Sequence, residues 1–443
     1  MSFDATHWTQ GKRRIHLIGI AGSGMSPLAD IFVDLGHEVT GSDVKEAPER
    51  LRDRGVRMQI GHRAENLGKA EVVIASAAIP DSNPEWAEAG KRGLPRLRRT
   101  EVLAQLASHK KLVAVLGSHG KTTTSTMLAH IWKEAGQDPC FYLGGYAPSL
   151  GASGAWKSGA WLVAEVDESE GAPAQLKPAA AILLNADLEH VDRYPNEQAV
   201  VEAYRKVLGQ VSGPLVVVAK EEKAAMEAAG ALVEKKTFGW EKSGADYTGT
   251  WKGEDKDGVS FTAKKGSEDL GTFRVAAPGR HNAANALGAL ALAHEAGLAV
   301  EKIRQGLAAF RRADRRFTVL LSTPELELVD DYAHHPREVA ATIEAAKARG
   351  RKRVVAVFQP HRHTRLSTFL GGFVEALARA DAVVVLPVYA AGESPIAGSG
   401  SAVLATQLTE KQVPVELAGS MPEARSILGK IWQEGDLFLV MGA

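Results

Sequence analysis

Residues 117–132 read GSHGKTTTSTMLAHIW and follow the apolar run KLVAVL at 111–116. Glycine, lysine and three threonines therefore stand at the seam between a predicted strand, 112–116, and a segment of helical periodicity. A helix start is an anion site, because its first backbone N–H groups lack intrahelical partners and its dipole is positive there. Gly117 and Gly120 let the backbone close around a phosphate, Lys121 adds a cation, and Thr122 can offer its hydroxyl to a bound Mg2+. The match is to a short form, G-S-H-G-K-T. The longer phosphate-loop pattern wants glycine at 115, where Val115 stands. The flanking strand and helix favour phosphate binding over a glycine-hinged turn with an exposed lysine.

Upstream, RRIHLIGIAGSGMSPLADIFVDLGHEVTGSD predicts a strand over 15–20, a glycine-rich turn, a helix and a second strand over 38–41. This is a βαβ unit with glycines at Gly19, Gly22 and Gly24, and Asp43 lies where an acidic residue often takes a ribose hydroxyl. EVVIASAAIPDSNPE adds a buried strand ending near Ser76. Downstream, WLVAEVDESEG and AAILLNADLEHVD each read as an apolar strand ending in acidic or histidine residues. Ligands of parallel α/β sheets sit beyond the carboxyl ends of strands, so Glu165, Asp167, Asn185, Asp187 and His190 are expected near Lys121. YTGTWKGEDKDGVSFTAKKGSEDLGTFRV alternates like antiparallel strands, and APGRHNAANALGALALAHEAG reads as a helix stopped by Gly297. A third block alternates strands at ELELVDDY, KRVVAVFQ, DAVVVLPV and GDLFLVMG with helical stretches.

A chain of 443 residues has room for about three such units. Its 45% hydrophobic and 24% charged residues place it among water-soluble globular proteins. Lys plus Arg equals Asp plus Glu at 53 each, which gives no support to a nucleic-acid or membrane-surface role. A single cysteine, Cys140, permits no intrachain disulfide and suits a reducing cytoplasm. The N-terminal residues lack the apolar core of a signal peptide, and no apolar run approaches the ~18 residues of a membrane span.

Nine motifs in order, HLIGIAGSGMSPLA, GSHGKTTT, AEVDESEG, NADLEHVD, PGRHNAANA, RRF, VDDYAHHP, FQPHRHTR and LPVYAAGESP, resemble the Mur ligases of peptidoglycan synthesis over essentially the whole chain. The resemblance implies an α/β protein of three domains. These are a Rossmann-like UDP-binding domain over 1–109, a central P-loop ATPase domain over 110–312, and a C-terminal Rossmann-like domain over 313–443 that takes the amino acid. It implies ATP and Mg2+ as cofactors, and UDP-N-acetylmuramate and L-alanine as substrates. The implied reaction is amide formation through an acylphosphate, serving cell wall biogenesis, cell shape and division. A cytoplasmic monomer or weak homodimer is expected, with no nucleic acid and no membrane insertion.

Carried over position by position, the resemblance implies ATP contacts from Gly117, Ser118, His119, Gly120, Lys121, Thr122 and Thr123, from His281, Asn282 and Asn285, and from Arg316 and Asp331. Thr122, Glu165 and His190 match metal positions. Gly22, Ser23, Gly24, Met25, Asp43, His62 and Ser76 match the UDP-sugar side; Met25 is otherwise a natural core filler. Tyr332, His361, Arg362 and Arg365 match the amino-acid site, where an arginine fork suits a free carboxylate. Lys121, Asp331, His334 and Arg365 are the expected catalytic group, His334 as acid–base. Glu168 reads equally as a solvated loop charge. Asn282 also reads as a cap of the following helix. Ser118 departs from the family's usual threonine, GGYAPSLG departs from its usual loop, and the family usually continues past the final MGA with a closing helix.

Other readings stay open on these residues. A recycling ligase of the same family would join the same UDP-sugar to a peptide. A nucleotide-binding sensor without catalysis would not need Lys121, Thr122, Glu165 and His190 together. A dinucleotide oxidoreductase would have no use for the second, ATP-type loop.

Overall fold

The computed structural model describes residues 4–46, 48–166, 176–191, 193–230, 232, 234–255 and 257–442. Among them, strands assemble into three sheets. The first has five strands, β1 (Arg14–Ile18), β2 (Glu38–Asp43), β3 (Arg57–Ile60), β4 (Val72–Ala75) and β5 (Arg96–Arg98), in the order β3-β2-β1-β4-β5. Every pairing is parallel, and β1 and β4 are almost wholly buried, as a sheet covered on both faces requires. β1 ends two residues short of the 15–20 expectation. Gly19 takes φ +83° there, which turns the chain out of the sheet and starts the glycine loop.

The central sheet has ten strands in the order β15-β14-β13-β12-β11-β10-β6-β9-β7-β8. They are β6 (Lys111–Leu116), β7 (Cys140–Ala147), β8 (Ala152–Ala155), β9 (Trp161–Glu165), β10 (Ala180–Leu183), β11 (Leu215–Ala219), β12 (Lys236–Trp240), β13 (Tyr247–Asp255), β14 (Gly258–Lys265) and β15 (Glu268–Val275). Pairing is parallel from β7 to β13, and β13–β15 form the antiparallel ribbon that the alternating sequence predicts. Helix Arg280–Glu295 covers one face; its small residues Ala286, Gly288 and Ala289 are buried. A Cβ on Gly288 would lie 2.8 Å from Phe238, so the helix sits closer than any larger residue allows.

The third sheet joins β16 (Thr318–Ser322), β17 (Leu326–Asp331), β18 (Arg353–Phe358), β19 (Ala382–Val385), β20 (Val415–Leu417) and β21 (Asp436–Met441) in the order β16-β17-β21-β18-β19-β20. Only β16 runs antiparallel. β21 is central and apolar, and its buried residues form part of the core of this unit.

The first two units share one apolar core, but their contact also carries a polar lock. Asp30, fully buried, accepts from Arg50 Nη1 at 2.8 Å, Arg54 Nη1 at 2.7 Å and Ser153 Oγ at 2.8 Å. A Cβ on Gly154 would lie 2.2 Å from Pro27 O, so β8 reaches the first unit only as glycine. The GGYAPSLG segment belongs to this β7–β8 hairpin and thus to domain docking.

Candidate functional site

The phosphate loop is built by the turn after β6. Gly120 precedes helix Lys121–Glu134 at φ +83°, and a Cβ there would lie 2.8 Å from the Asn285 side chain. Both conditions demand glycine. Asn185, just after β10, clamps the loop: its Oδ1 accepts from His119 N at 2.8 Å and its Nδ2 donates to His119 O at 3.0 Å. Ser118 Oγ donates to Asp187 O at 2.8 Å, so serine serves here as threonine would. Lys121 is buried, and its ammonium donates to Gly117 O at 2.6 Å and Ser118 O at 3.2 Å, curled over the loop that a phosphate would fill. Thr123, at the third position of the helix, lines the cavity beside it.

Thr122 Oγ1 donates to Glu165 Oε2 at 2.7 Å, and the same carboxylate oxygen accepts from Gly144 N at 3.1 Å. His190 lines the same cavity with φ +51°, a left-handed conformation that a non-glycine residue adopts at some cost. A hydroxyl, a carboxylate and an imidazole facing one space fit a hard divalent cation, which prefers oxygen donors and retains waters. Asp167 and Glu168 lie outside the described residues. Three further ligand atoms, on His119, Glu189 and His335, come within 4.8 Å of one another. Arg365 already rests on Glu189, so this trio is a charge cluster and not a cation seat.

Around the loop lies a cavity of about 540 Å³, within the usual range for small-molecule sites. Its walls come from all three units. Ser23 comes from the first; Lys121, Thr122, His281 and Asn285 from the second; Arg316, Asp331 and His334 from the third. Trp240 and Phe238 form an aromatic wall beside Asn282 that the sequence reading did not single out. The Asn282 side chain donates to Pro278 O at 2.5 Å. It therefore fixes the chain entering the helix and does not cap its N–H groups.

The third unit reaches the loop directly. Arg316 Nη2 donates to Thr122 Oγ1 at 3.3 Å, and the Arg315 and Arg316 guanidinium carbons each lie 5.1 Å from the centre of the Tyr332 ring. Asp331 ends β17 and accepts from Phe317 N and Ala333 N, both at 2.7 Å. Burial pushes its carboxyl up to about 6 against the pull of Arg316. Asp331 thus shapes the RRF turn as well as facing the cavity.

Behind Asp331, Tyr332 and His334 stand 5.1 Å apart, and His334 and His361 6.2 Å, between ring centres. His361 stacks on Tyr389 and contacts Arg365 Nη1 at 2.8 Å. Arg365 Nε donates to Glu189 Oε1 at 3.1 Å. Arg362 starts helix His363–Leu377 at φ +67°, with Nη1 3.4 Å from Glu393 Oε1. Burial, helped by Arg365, holds His334 below the ordinary imidazole range while Glu338 works against it. Burial and Arg365 bring His361 down to about 3. Both rings are therefore neutral at pH 7.

The expected UDP-sugar residues gather at the carboxyl ends of β1, β2, β3 and β4. Asp43 accepts from Ala21 N and Lys45 N, both at 3.0 Å, which fixes its carboxylate against the glycine loop. His62 Nδ1 contacts Ser42 Oγ at 3.0 Å, and the Ser76 side chain lies 3.6 Å from where a Gly19 Cβ would be. Gly22 and Gly19 close the turn through a 3.1 Å backbone bond, and Gly24 leaves room for Arg99, whose Nη1 would lie 2.2 Å from a Cβ there. The Met25 side chain is 1% exposed and packed in the core, as its reading as a core filler expects, because the turn into helix Ser26–Asp34 aims it inward. Met25 can offer a ligand only backbone.

Glu338 and Glu189 are among the charged groups lining the cavity that sequence reasoning missed, with Arg312, Arg337 and Glu222. Glu338 had a signal, since it stands three residues after His335 with Pro336 between, the spacing of a capping box.

Three family descriptions match the chain in order: "Mur ligase family, catalytic domain" over 14–111, "Mur ligase middle domain" over 115–293 and "Mur ligase, glutamate ligase domain" over 315–443. A UDP-N-acetylmuramate–L-alanine ligase of Mesorhizobium japonicum is 38% identical over 97% of this chain and 94% of its own. One of Syntrophotalea carbinolica is 37% identical over 97% and 95%. Among solved structures, the UDP-N-acetylmuramate–alanine ligase of Thermotoga maritima superposes with a TM-score of 0.83 at 30% identity, covering 97% and 96%. A murein peptide ligase of Psychrobacter arcticus, at 22% identity and TM-score 0.73, shares the fold over 97% and 95%.

Proposed function

Because the chain belongs to the Mur ligase family, we propose that it joins L-alanine to the lactyl carboxylate of UDP-N-acetylmuramate at the expense of ATP. The reading is supported by one observation above all: Arg316 of the third unit touches Thr122 of the phosphate loop, so the nucleotide site draws on two units, and Tyr332 and His334 of the third unit line the same cleft. Two anions, a carboxylate and a triphosphate, must meet there, which calls for cations. Lys121 leaves its loop carbonyls for the transferring phosphoryl group. Thr122, Glu165 and His190 would hold Mg2+, which would neutralise phosphate charge when bound. The carboxylate attacks the γ-phosphate, ADP departs, and the amine of alanine displaces phosphate from the acylphosphate. His334, neutral and beside His361, accepts the proton that the ammonium of alanine must lose before it attacks. Arg365 and Arg362 orient the amino-acid carboxylate, and Gly22, Ser23, Gly24, Asp43, His62 and Ser76 hold the UDP portion.

On the same reading the working domains are 1–109, 110–312 and 313–443, and the protein is a cytoplasmic monomer or weak homodimer serving peptidoglycan synthesis. No helix among the described residues is long and apolar enough to cross a membrane. The test is phosphate release from ATP with UDP-N-acetylmuramate and either L-alanine or the murein tripeptide. Stimulation by alanine supports the proposal. Stimulation by the tripeptide alone makes the chain a recycling ligase, and release independent of UDP-N-acetylmuramate overturns both.

A further inference from the structure

Glu338 is the third residue of helix Pro336–Lys347, and its two oxygens serve two different domains. Oε2 accepts from His334 N at 3.1 Å and His335 N at 3.4 Å, and lies 3.3 Å from His334 Nδ1. Oε1 lies 3.3 Å from His119 Nδ1, on the phosphate loop of the central domain. We infer that Glu338 is a positioning residue that ties the phosphate loop, through His119, to His334 across the interface between the two domains. The inference rests on the ligase reading above and deepens it, because neither the loop nor His334 alone requires this contact.

On its own domain Glu338 helps fix a tautomer. His334 Nδ1 also lies 2.8 Å from Tyr332 O. A carbonyl only accepts, so Nδ1 carries the hydrogen and Nε2 of the neutral ring keeps its lone pair for the substrate side. Across the interface Glu338 acts on charge. His119 faces Asp187 at 3.2 Å from Nε2 and Glu338 at Nδ1, with Glu189 nearby, and its ring lies 4.5 Å from that of His335. Burial works to lower its pKa, but the flanking carboxylates prevail and raise it to about 9. Burial, with His119 beside it, brings His335 down to about 4, so His335 does not compete as a cation. The phosphate loop therefore carries a second positive charge beside Lys121, completed when the third domain delivers Glu338. Such a charge acts where negative charge is being transferred.

The experiment compares the wild type, Glu338→Gln, His119→Gln and the double variant as full chains. A glutamine oxygen still accepts from His334 N and His335 N, so the helix start survives, and a thermal melt checks this. Glu338→Gln is expected to lower kcat by about 10- to 100-fold with KM for the UDP-sugar unchanged. The alkaline fall of kcat should move down by about one pH unit. The double variant should be no worse than the worse single one, because both remove the same link. A Glu338→Gln kcat within about twofold of wild type with an unmoved alkaline limb overturns the inference, and so do losses that multiply. The titration of the His119 ring, followed by NMR in the free protein, reads the contact without substrate. A midpoint unchanged by Glu338→Gln overturns it, whereas a wild type inert toward alanine overturns the reaction assigned above.

Discussion

Arg365 of the third domain lies on Glu189 of the central domain, 176 residues earlier in the chain, with Nε 3.1 Å from Oε1 and both side chains buried. Arg365 also holds Glu189 well below the ordinary carboxylate range, against the effect of burial. The guanidinium proposed to hold the amino acid thus has an internal carboxylate partner, and the substrate carboxylate would share or displace it. Removing one member of a buried charged pair costs about 2–5 kcal/mol. Arg365→Ala is accordingly expected to lower kcat/KM for alanine by roughly 30- to several thousand-fold. Arg365→Lys should recover only part, since an ammonium lacks the planar fork. Steady-state kinetics with each substrate varied in turn separates the roles. A loss confined to alanine supports amino-acid capture; an equal loss for ATP means that Arg365 only holds the domains together.

Lys121→Ala removes the cation that Gly117 O and Ser118 O now hold in readiness. Ligation should fall by about 10³-fold or more, as for other fixed charges at a transferring phosphoryl group. Calorimetric binding of the UDP-sugar should be unchanged, because its expected ligands lie in the first domain. Near-normal turnover would remove Lys121 from the chemistry.

The phosphate loop was legible because its chemistry is local: glycine, lysine and threonine must follow a strand directly. The strand-end motifs were legible for the same reason, and with them the three α/β units. The β7–β8 hairpin was not. Its glycines, Gly144 and Gly154, answer to Glu165 and Pro27, neighbours far away in sequence, and leave no alternating pattern to read. Charge pairing was likewise invisible. Arg365 is recognisable as a carboxylate ligand from its type, but Glu189 as its partner emerges only when two domains meet. Met25 shows that a motif position beside a binding loop can still point its side chain into the core.

Domain closure is expected to depend on Arg337. Its Nη1 donates to Asp187 Oδ2 at 2.8 Å, and its Nη2 pairs with Glu222, both on the central domain. The arginine side chain is 47% exposed, so the pair is worth about 1 kcal/mol or less. Arg337→Glu replaces attraction by repulsion at both carboxylates. KM for ATP should rise by about 3- to 10-fold, and small-angle scattering should show a larger radius that added salt reduces. A radius equal to wild type at low salt would show that the other interdomain contacts suffice.

The first domain should lose stability in acid through Glu85. Its carboxylate is fully buried and accepts from Ser42 Oγ at 2.5 Å, Asn66 Nδ2 at 2.6 Å and Arg63 N at 3.1 Å, with His16 Nε2 3.2 Å away. Burial alone would raise its pKa, but His16, Ser42 and Asn66 outweigh it and bring the pKa from 4.5 down to about 2. The folded state therefore binds the proton less tightly than the unfolded chain, and stability rises with pH across that interval. The contribution, of the order of 3 kcal/mol, is complete above the unfolded value and disappears as pH falls through 4.5 toward 2. Glu85→Gln should reduce stability at pH 7 by about 1.5–3 kcal/mol, because hydrogen bonds to a charged acceptor are lost. It should also flatten the dependence on pH below 4.5. Hydrogen exchange of the β1 and β4 amides reads this domain apart from the other two. Equal protection in wild type and variant at pH 7, or an acid dependence that survives the substitution, would assign the acid sensitivity to other carboxylates.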